Sequence, residues 1–259
     1  AWVRTAKDVA PIISDVLGAY DRSVGAKSLR RAATVLHATG TAASGNGSLM
    51  RTTPITLGYL HDEAGLALAA RTYSDLTHGN PEAAEACILW NLAQRRAILD
   101  GRFDVRAGLS SLPANQARDW DEIISTAEAG LPQDFAIRNG WGAQMVQTVC
   151  SAITHCEASG PGHFEETLRL VVSSGGDTPT SAAVAGSLLG ARWGLSAIPL
   201  EWRRRIHGWP GMRDAELMRL AWQAVTGKGW PVEFAIPPMS IPPVVHPDDA
   251  GVLLGGVRG

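Results

Sequence analysis

The stretch that most constrains the fold is residues 173–193, which reads SSGGDTPTSAAVAGSLLGARW. Its two adjacent glycines tolerate backbone angles that a side chain forbids. Asp177 follows them, and the run after it stays uncharged until Arg192. Because small and apolar residues occupy every side of this run, we predict a central helix that is buried on nearly all sides. Thr178 is the expected N-cap and Pro179 suits the first turn.

The rest of the chain has the apolar spacing of helices, with no alternating strand pattern and no βαβ rhythm. We therefore predict an all-α fold with one domain over residues 1–228, followed by a tail over 229–259 that is extended or disordered. Six of the fifteen prolines lie in residues 231–259. Further helices are predicted over residues 3–20, 27–36, 62–76, 81–99, 104–112, 120–129, 142–156, 164–173, 201–207 and 214–225.

Composition excludes several classes of function. A net charge of −2 over 259 residues argues against a broad nucleic-acid surface. No apolar run is long enough to span a bilayer, and the first residues lack the apolar core of a signal peptide. Three scattered cysteines do not make a disulfide framework or a zinc site. We expect a cytoplasmic protein and, by default, a monomer.

Residues 45–51, GNGSLMR, form a candidate anion site. The glycines can adopt unusual backbone angles, Ser48 can cap the helix that follows, and free N–H groups at a helix start attract anions. Arg51 adds a planar fork of donors suited to phosphate. Three ordinary interpretations stay open: a plain loop at 45–51, an N-cap role for Asp177, and a helix C-terminal role for His78.

Several short motifs occur together in a fixed order. They are GNGSLMR (45–51), Thr77-His78 with Pro81, Asn139-Gly140-Trp141, GGDTPT (175–180), and Ile198-Pro199 followed by Glu201-Trp202. Over roughly residues 1–225 the sequence resembles the ADP-ribosylglycohydrolase family, which includes dinitrogenase reductase-activating glycohydrolase and the ADP-ribosyl-acceptor hydrolases. The ordered co-occurrence is far more specific than any single motif.

The resemblance implies a compact orthogonal bundle of helices with a dinuclear Mg²⁺ centre, sometimes Mn²⁺, in a cleft. It implies cleavage at the ribose C1″ of ADP-ribose attached to a protein side chain or to a small compound. Two close metal ions would bind the ribose hydroxyls and activate water. The residues it assigns to the substrate are Gly45, Asn46, Gly47, Ser48, Met50, Arg51 and His78, and those it assigns to the metal are Asp177 and Thr180.

Two departures from the family pattern are expected to matter. Pro179 stands where the family has a second metal-binding aspartate. The Gly-Asp-Ala-Leu-Gly-like and Thr-Asp-Asp-Thr-like segments, which supply the other metal ligands and the catalytic acid, are not in this sequence. The chain therefore resembles a family member without its N-terminal segment. Two hypotheses stay open: a metal-dependent hydrolase, and a non-catalytic relative that binds ADP-ribose or is purely structural.

Overall fold

The computed structural model describes residue 6 and residues 9–40, 45–136 and 141–228. Within these residues all regular structure is helical, apart from two isolated antiparallel bridges. The predicted all-α class is confirmed. The helices are α1 (Pro11–Gly18), α2 (Ala26–Ala38), α3 (Thr53–Gly58), α4 (Glu63–Ser74), α5 (Pro81–Asp100), α6 (Ala114–Ala129), α7 (Pro132–Phe135), α8 (Gly142–His155), α9 (Gly162–Ser173), α10 (Thr178–Trp193), α11 (Leu200–Arg205) and α12 (Asp214–Thr226), with 3-10 turns at Leu49–Arg51, Val105–Ser111 and Leu195–Ala197.

Helix α5 is the central element of the bundle. The Asn80 side chain accepts a hydrogen bond from the Glu82 N–H and Pro81 opens the helix, as its sequence predicts. Helices α3, α4, α8 and α10 and the 3-10 turn Val105–Ser111 all pack against it. Its Leu89 and Trp90 side chains are fully buried. Helix α5 is enclosed on nearly every side. It is therefore the central buried helix, which we had expected α10 to be.

Helix α10 is buried on one face only, so the prediction of burial on nearly all sides is wrong. Val184, Leu188 and Leu189 lie in the core, whereas Ala183 is exposed. No neighbouring atom of the described residues lies within 4 Å of a Cβ placed on Gly186 or Gly190. Small residues make close packing possible, but they do not decide which neighbours occupy the space beside them.

A buried network of polar side chains connects three of these helices. Gln94 of α5 donates to Thr53 Oγ1 of α3 at 3.1 Å and to Ser187 Oγ of α10 at 2.8 Å. Thr56 of α3 donates to Asn91 Oδ1 of α5 at 2.9 Å. Such bonds cost little when every partner is satisfied and restrict the packing to one arrangement. They hold α3, which follows residues 45–51, at a defined position relative to α10, which follows Asp177.

Other boundaries differ from the predicted ones for local reasons. In the described part of the predicted helix 3–20, α1 begins only at Pro11, because proline favours the first turn and limits extension before it. Pro113 likewise precedes α6, which is longer than the predicted 120–129. The segment over 104–112 is a 3-10 turn. The predicted tail over 229–259 lies outside the described residues, and so do Asn139 and Gly140.

No helix within the described ranges is long and apolar enough to cross a membrane.

The 3-10 turn Val105–Ser111 packs closely against α5, so a larger residue at the contact should lower the stability of the protein. A Cβ at Gly108 would lie 2.9 Å from the Cα and Cδ2 atoms of Leu89. Because the Leu89 backbone cannot yield, we expect Gly108→Ala to lower the free energy of unfolding by about 1–3 kcal/mol. Gly186→Ala is the matched control, since it adds the same methyl group to open space within a helix and should stabilise by up to about 1 kcal/mol. Urea denaturation of both variants measures the two changes, and equal effects would contradict the packing argument.

Candidate functional site

The two motifs expected to form the site meet in the structure. Asn46 Nδ2 donates a hydrogen bond of 3.0 Å to Asp177 Oδ2, although the residues are 131 positions apart in the chain. Thr180 Oγ1 donates to the other carboxylate oxygen, Oδ1, at 3.0 Å. Asp177 is partly buried. The loop at 45–51 and the turn before α10 therefore form one polar site.

The N-terminus of α10 differs from its prediction. Asp177, not Thr178, occupies the N-cap position, and its side chain makes no capping bond to the helix backbone. Residues with short polar side chains are nearly equivalent as caps, so preference alone could not separate these neighbours. Gly175 and Gly176 have positive φ angles of 85° and 71°, which confirms the expected use of the two glycines. The turn directs the carboxylate towards Asn46 and Thr180 instead of the free N–H groups of the helix.

The backbone of the Gly45–Ser48 loop is a further part of the site. Gly45 forms an isolated antiparallel bridge with Trp141, which brings this residue of the third sequence motif to the site. Within the described residues, no acceptor is found for the backbone N–H groups of Gly47 and Ser48. Gly47 is partly exposed and Ser48 is fully buried, so only the Gly47 N–H is placed to meet an anion.

Ser48 does not cap the following helical turn, contrary to its prediction. Its side chain is fully buried, and its hydroxyl accepts a hydrogen bond of 3.0 Å from Ser74 Oγ. The whole residue is buried, backbone included, so contact between Ser48 and a ligand stays a prediction. Met50, by contrast, is 44% exposed.

His78 is buried against the loop. Its side chain is 1% exposed, and a Cβ on Gly47 would lie 3.2 Å from its Nε2 and Cε1 atoms. A side chain at 47 would therefore crowd the His78 ring. Space is the reason for glycine here, because Gly47 does not have a positive φ. Burial lowers the pKa of His78 to about 4, and the nearby Arg51 cation adds to this effect. The ordinary interpretation allows either a histidine cation or a ring N–H to stabilise the end of a helix. A neutral imidazole excludes the cation and leaves the N–H.

Arg51 has partners within the protein. Its Nη2 donates to the carbonyl oxygen of Tyr73 at 3.0 Å and to Thr77 Oγ1 at 2.5 Å. Its Nε is buried without a hydrogen-bond partner among the described residues. The guanidinium lies beside the loop and is anchored to the end of α4. Direct contact between Arg51 and a diphosphate stays a prediction.

The described residues provide only part of a metal site. Asp177 Oδ1 and Thr180 Oγ1 are hard oxygen ligands 3.0 Å apart. Mg²⁺ requires near-octahedral coordination by six oxygens. Across the described ranges, no three His, Cys, Asp or Glu side chains are grouped so that they could hold a metal ion. These residues do not by themselves fit a dinuclear centre, so no chemical step here is assigned to a metal.

Two polar residues near the site were missed by sequence reasoning. Thr77 Oγ1 lies 2.8 Å from His78 Nδ1 and also receives the bond from Arg51. Burial and the neighbouring Glu85 raise the pKa of Glu82, and the N–H groups of Trp141 and Ala143 partly oppose this rise. Thr77 directly precedes His78 in one of the ordered motifs, and this position next to a predicted site residue was the signal that could have identified it. Nothing in the local pattern distinguished Glu82 from an ordinary acidic residue in the first turn of a helix.

Comparison with known families agrees with the motifs that meet at this site. A family described as ADP-ribosylglycohydrolase matches residues 1–231. The chain belongs to the ADP-ribosylglycohydrolase family. The resemblance inferred from the ordered motifs is confirmed.

Individual members of the family are similar to this chain at lower coverage. The ADP-ribosylarginine hydrolase Tri1 of Pseudomonas putida (strain GB-1) is 29% identical over 163 residues, covering 63% of this chain and 42% of that protein. The ADP-ribosylhydrolase ARH3 of Gallus gallus is 25% identical over 198 residues, covering 64% and 54% respectively. The Bos taurus ARH3 is 26% identical over 204 residues, covering 66% and 55%. The chain thus spans about half the length of these relatives.

Proposed function

We propose that this ADP-ribosylglycohydrolase-family protein hydrolyses the bond at the ribose C1″ of ADP-ribosylated side chains or of small ADP-ribosyl compounds. The observation that carries the proposal is the Asn46–Asp177 hydrogen bond of 3.0 Å. It joins the loop that the family resemblance assigns to the diphosphate with the carboxylate that the resemblance assigns to the metal. The names of the relatives, all ADP-ribosyl hydrolases, support the same class of substrate.

The residues suit this chemistry in separate ways. The N–H of Gly47, which has no acceptor among the described residues, would bind an anionic diphosphate and orient the substrate. Orientation alone can supply a large part of a rate enhancement. Positive charge develops at C1″ as the glycosidic bond breaks. The Asp177 carboxylate, held on both oxygens by Asn46 and Thr180, is a fixed negative charge that would stabilise it.

We further propose that Asp177 and Thr180 contribute ligands to Mg²⁺, with Mn²⁺ as the alternative ion. Carboxylate and hydroxyl oxygens are the ligands that these hard cations prefer. A bound divalent ion would supply charge stabilisation and an activated water. The remaining ligands must come from beyond the residues described here or from the substrate and water.

Calorimetry and a hydrolysis assay test the proposal together. We expect ADP-ribose to bind with micromolar affinity, and free ADP-ribose to be released from ADP-ribosylarginine or ADP-ribosylserine in the presence of Mg²⁺. Chelation of divalent ions should stop the release. Absence of both binding and release, with and without Mg²⁺ or Mn²⁺, would refute the proposal.

The same experiment separates the hydrolase from the non-catalytic alternative. Tight binding that is indifferent to metal, with no release of ADP-ribose, would identify a binding protein. Pro179, at a position where the family has a metal-binding aspartate, is the residue that supports this alternative. The relatives do not favour it, because those named above are hydrolases.

A further inference from the structure

A chain of hydrogen bonds leads from Arg51 to the ring of His78. Arg51 Nη2 donates to Thr77 Oγ1, because a guanidinium has donors only. Thr77 Oγ1 in turn lies 2.8 Å from His78 Nδ1. Thr77 is 8% exposed and His78 is 1% exposed, so solvent competes little for either group.

The direction of the second bond follows from the first. Thr77 has one hydroxyl proton, and among the described residues His78 Nδ1 is the acceptor within reach. If Nδ1 carried the ring proton instead, the Thr77 oxygen would accept twice and its own buried proton would lack a partner, which is costly. A proton on Nδ1 would also face the Arg51 cation across a single hydroxyl. Both effects favour an Nδ1 that accepts.

The opposite edge of the ring faces the loop. A Cβ on Gly45 would lie 3.7 Å from His78 Nε2, and one on Gly47 would lie 3.2 Å away. No hydrogen-bond partner of Nε2 is found in the part of the chain that the structure describes. In a neutral imidazole whose Nδ1 accepts, the proton resides on Nε2.

We propose that Arg51 and Thr77 are positioning residues that fix the Nε2–H tautomer of His78, so that the ring presents a hydrogen-bond donor at the Gly45–Ser48 loop. The tautomer is a property of the free protein. Its effect on a ligand rests on the proposed function, since the His78 donor would add to the Gly47 N–H in binding an anionic oxygen. Arg51 then acts through Thr77 and His78 rather than by touching the ligand.

Nitrogen NMR of the full chain with ¹⁵N-labelled histidine tests the tautomer directly. The signals of His78 are assigned by their loss in His78→Gln. We expect the wild-type shifts of an unprotonated Nδ1 and a protonated Nε2 at pH 7. A protonated Nδ1 in the wild-type protein would overturn the inference without any further variant.

Substitutions at Thr77 test the cause. Thr77→Val keeps the shape but removes the hydroxyl, so we expect a mixture of the two tautomers, whereas Thr77→Ser should restore the wild-type spectrum. Thr126→Val, an exposed threonine whose hydroxyl bonds its own helix, is the control and should change nothing. An unchanged tautomer in folded Thr77→Val would overturn the role of Thr77.

ADP-ribose titration of the same variants tests the consequence. We expect Thr77→Val to weaken binding by about tenfold, as for one lost hydrogen bond, and Thr77→Ser to retain it. Equal affinity of Thr77→Val and wild type would overturn the link to the ligand. If the wild-type protein shows the expected tautomer but binds no ADP-ribose, the proposed function fails while the positioning of His78 stands.

Discussion

Asp177→Ala is expected to lower the Mg²⁺-dependent release of ADP-ribose by at least about 100-fold, the range seen when a preorganised electrostatic group is removed. The substitution deletes the carboxylate that receives hydrogen bonds from both Asn46 and Thr180. It therefore removes a fixed negative charge and also releases the loop at its contact with α10. Initial rates with ADP-ribosylarginine measure the effect on turnover. Calorimetry with ADP-ribose measures the effect on affinity.

Asp119→Ala is the matched control, because it removes an exposed carboxylate from α6, which does not include any residue of the site. It should leave rate, affinity and thermal stability unchanged. Should Asp177→Ala fold normally and keep wild-type rate and affinity, the Asp177 carboxylate would have no part in binding or turnover and the proposed site would be wrong.

A pH-dependent loss of stability is expected from the burial of His78. Its pKa is lowered from 6.5 to about 4 in the folded protein. Between these values the unfolded chain binds a proton that the folded protein does not, so the free energy of unfolding falls as the pH falls. The loss begins near pH 6.5, is complete below about pH 4, and amounts to about 3 kcal/mol.

Denaturant unfolding of the wild-type protein and of His78→Gln across pH 4–7 measures this contribution. Carboxylates titrate in the same range, so the difference between the two proteins is the useful quantity. The variant should be less stable at pH 7 but lose less stability on acidification. His61→Gln, at an exposed position, should follow the wild-type curve. Parallel curves for wild type and His78→Gln would show that His78 is not held neutral by the fold.

Local chemistry was sufficient to predict much of the fold. The Asn80-Pro81 pair marks the start of α5, and the apolar residues after it indicate a buried helix. The same reasoning failed for α10. Its residues are small enough for burial, but whether Gly186 and Ala183 are covered depends on neighbours that spacing does not specify.

The candidate site was less accessible to such reasoning. Asn46 and Asp177 were paired through the order of motifs in a family, because residues 131 positions apart carry no local signal of contact. The partners of Arg51 and the burial of Ser48 depend on how the end of α4 packs against the loop. The guanidinium of Arg51 next to glycines predicts a phosphate site. The same guanidinium can equally donate to a backbone carbonyl and to a threonine hydroxyl, as it does here.

The long separation between Asn46 and Asp177 has a consequence for energetics. Neither half of the chain can assemble this pair alone, so any ligand that needs both residues has affinity only for the fully folded molecule. Its binding energy is then added in full to global stability: a ligand at 100 times its dissociation constant contributes about 2.7 kcal/mol. An increase in resistance to denaturant on addition of ADP-ribose would therefore show that the ligand is bound at Asn46 and Asp177, even in a protein whose turnover is too slow to detect.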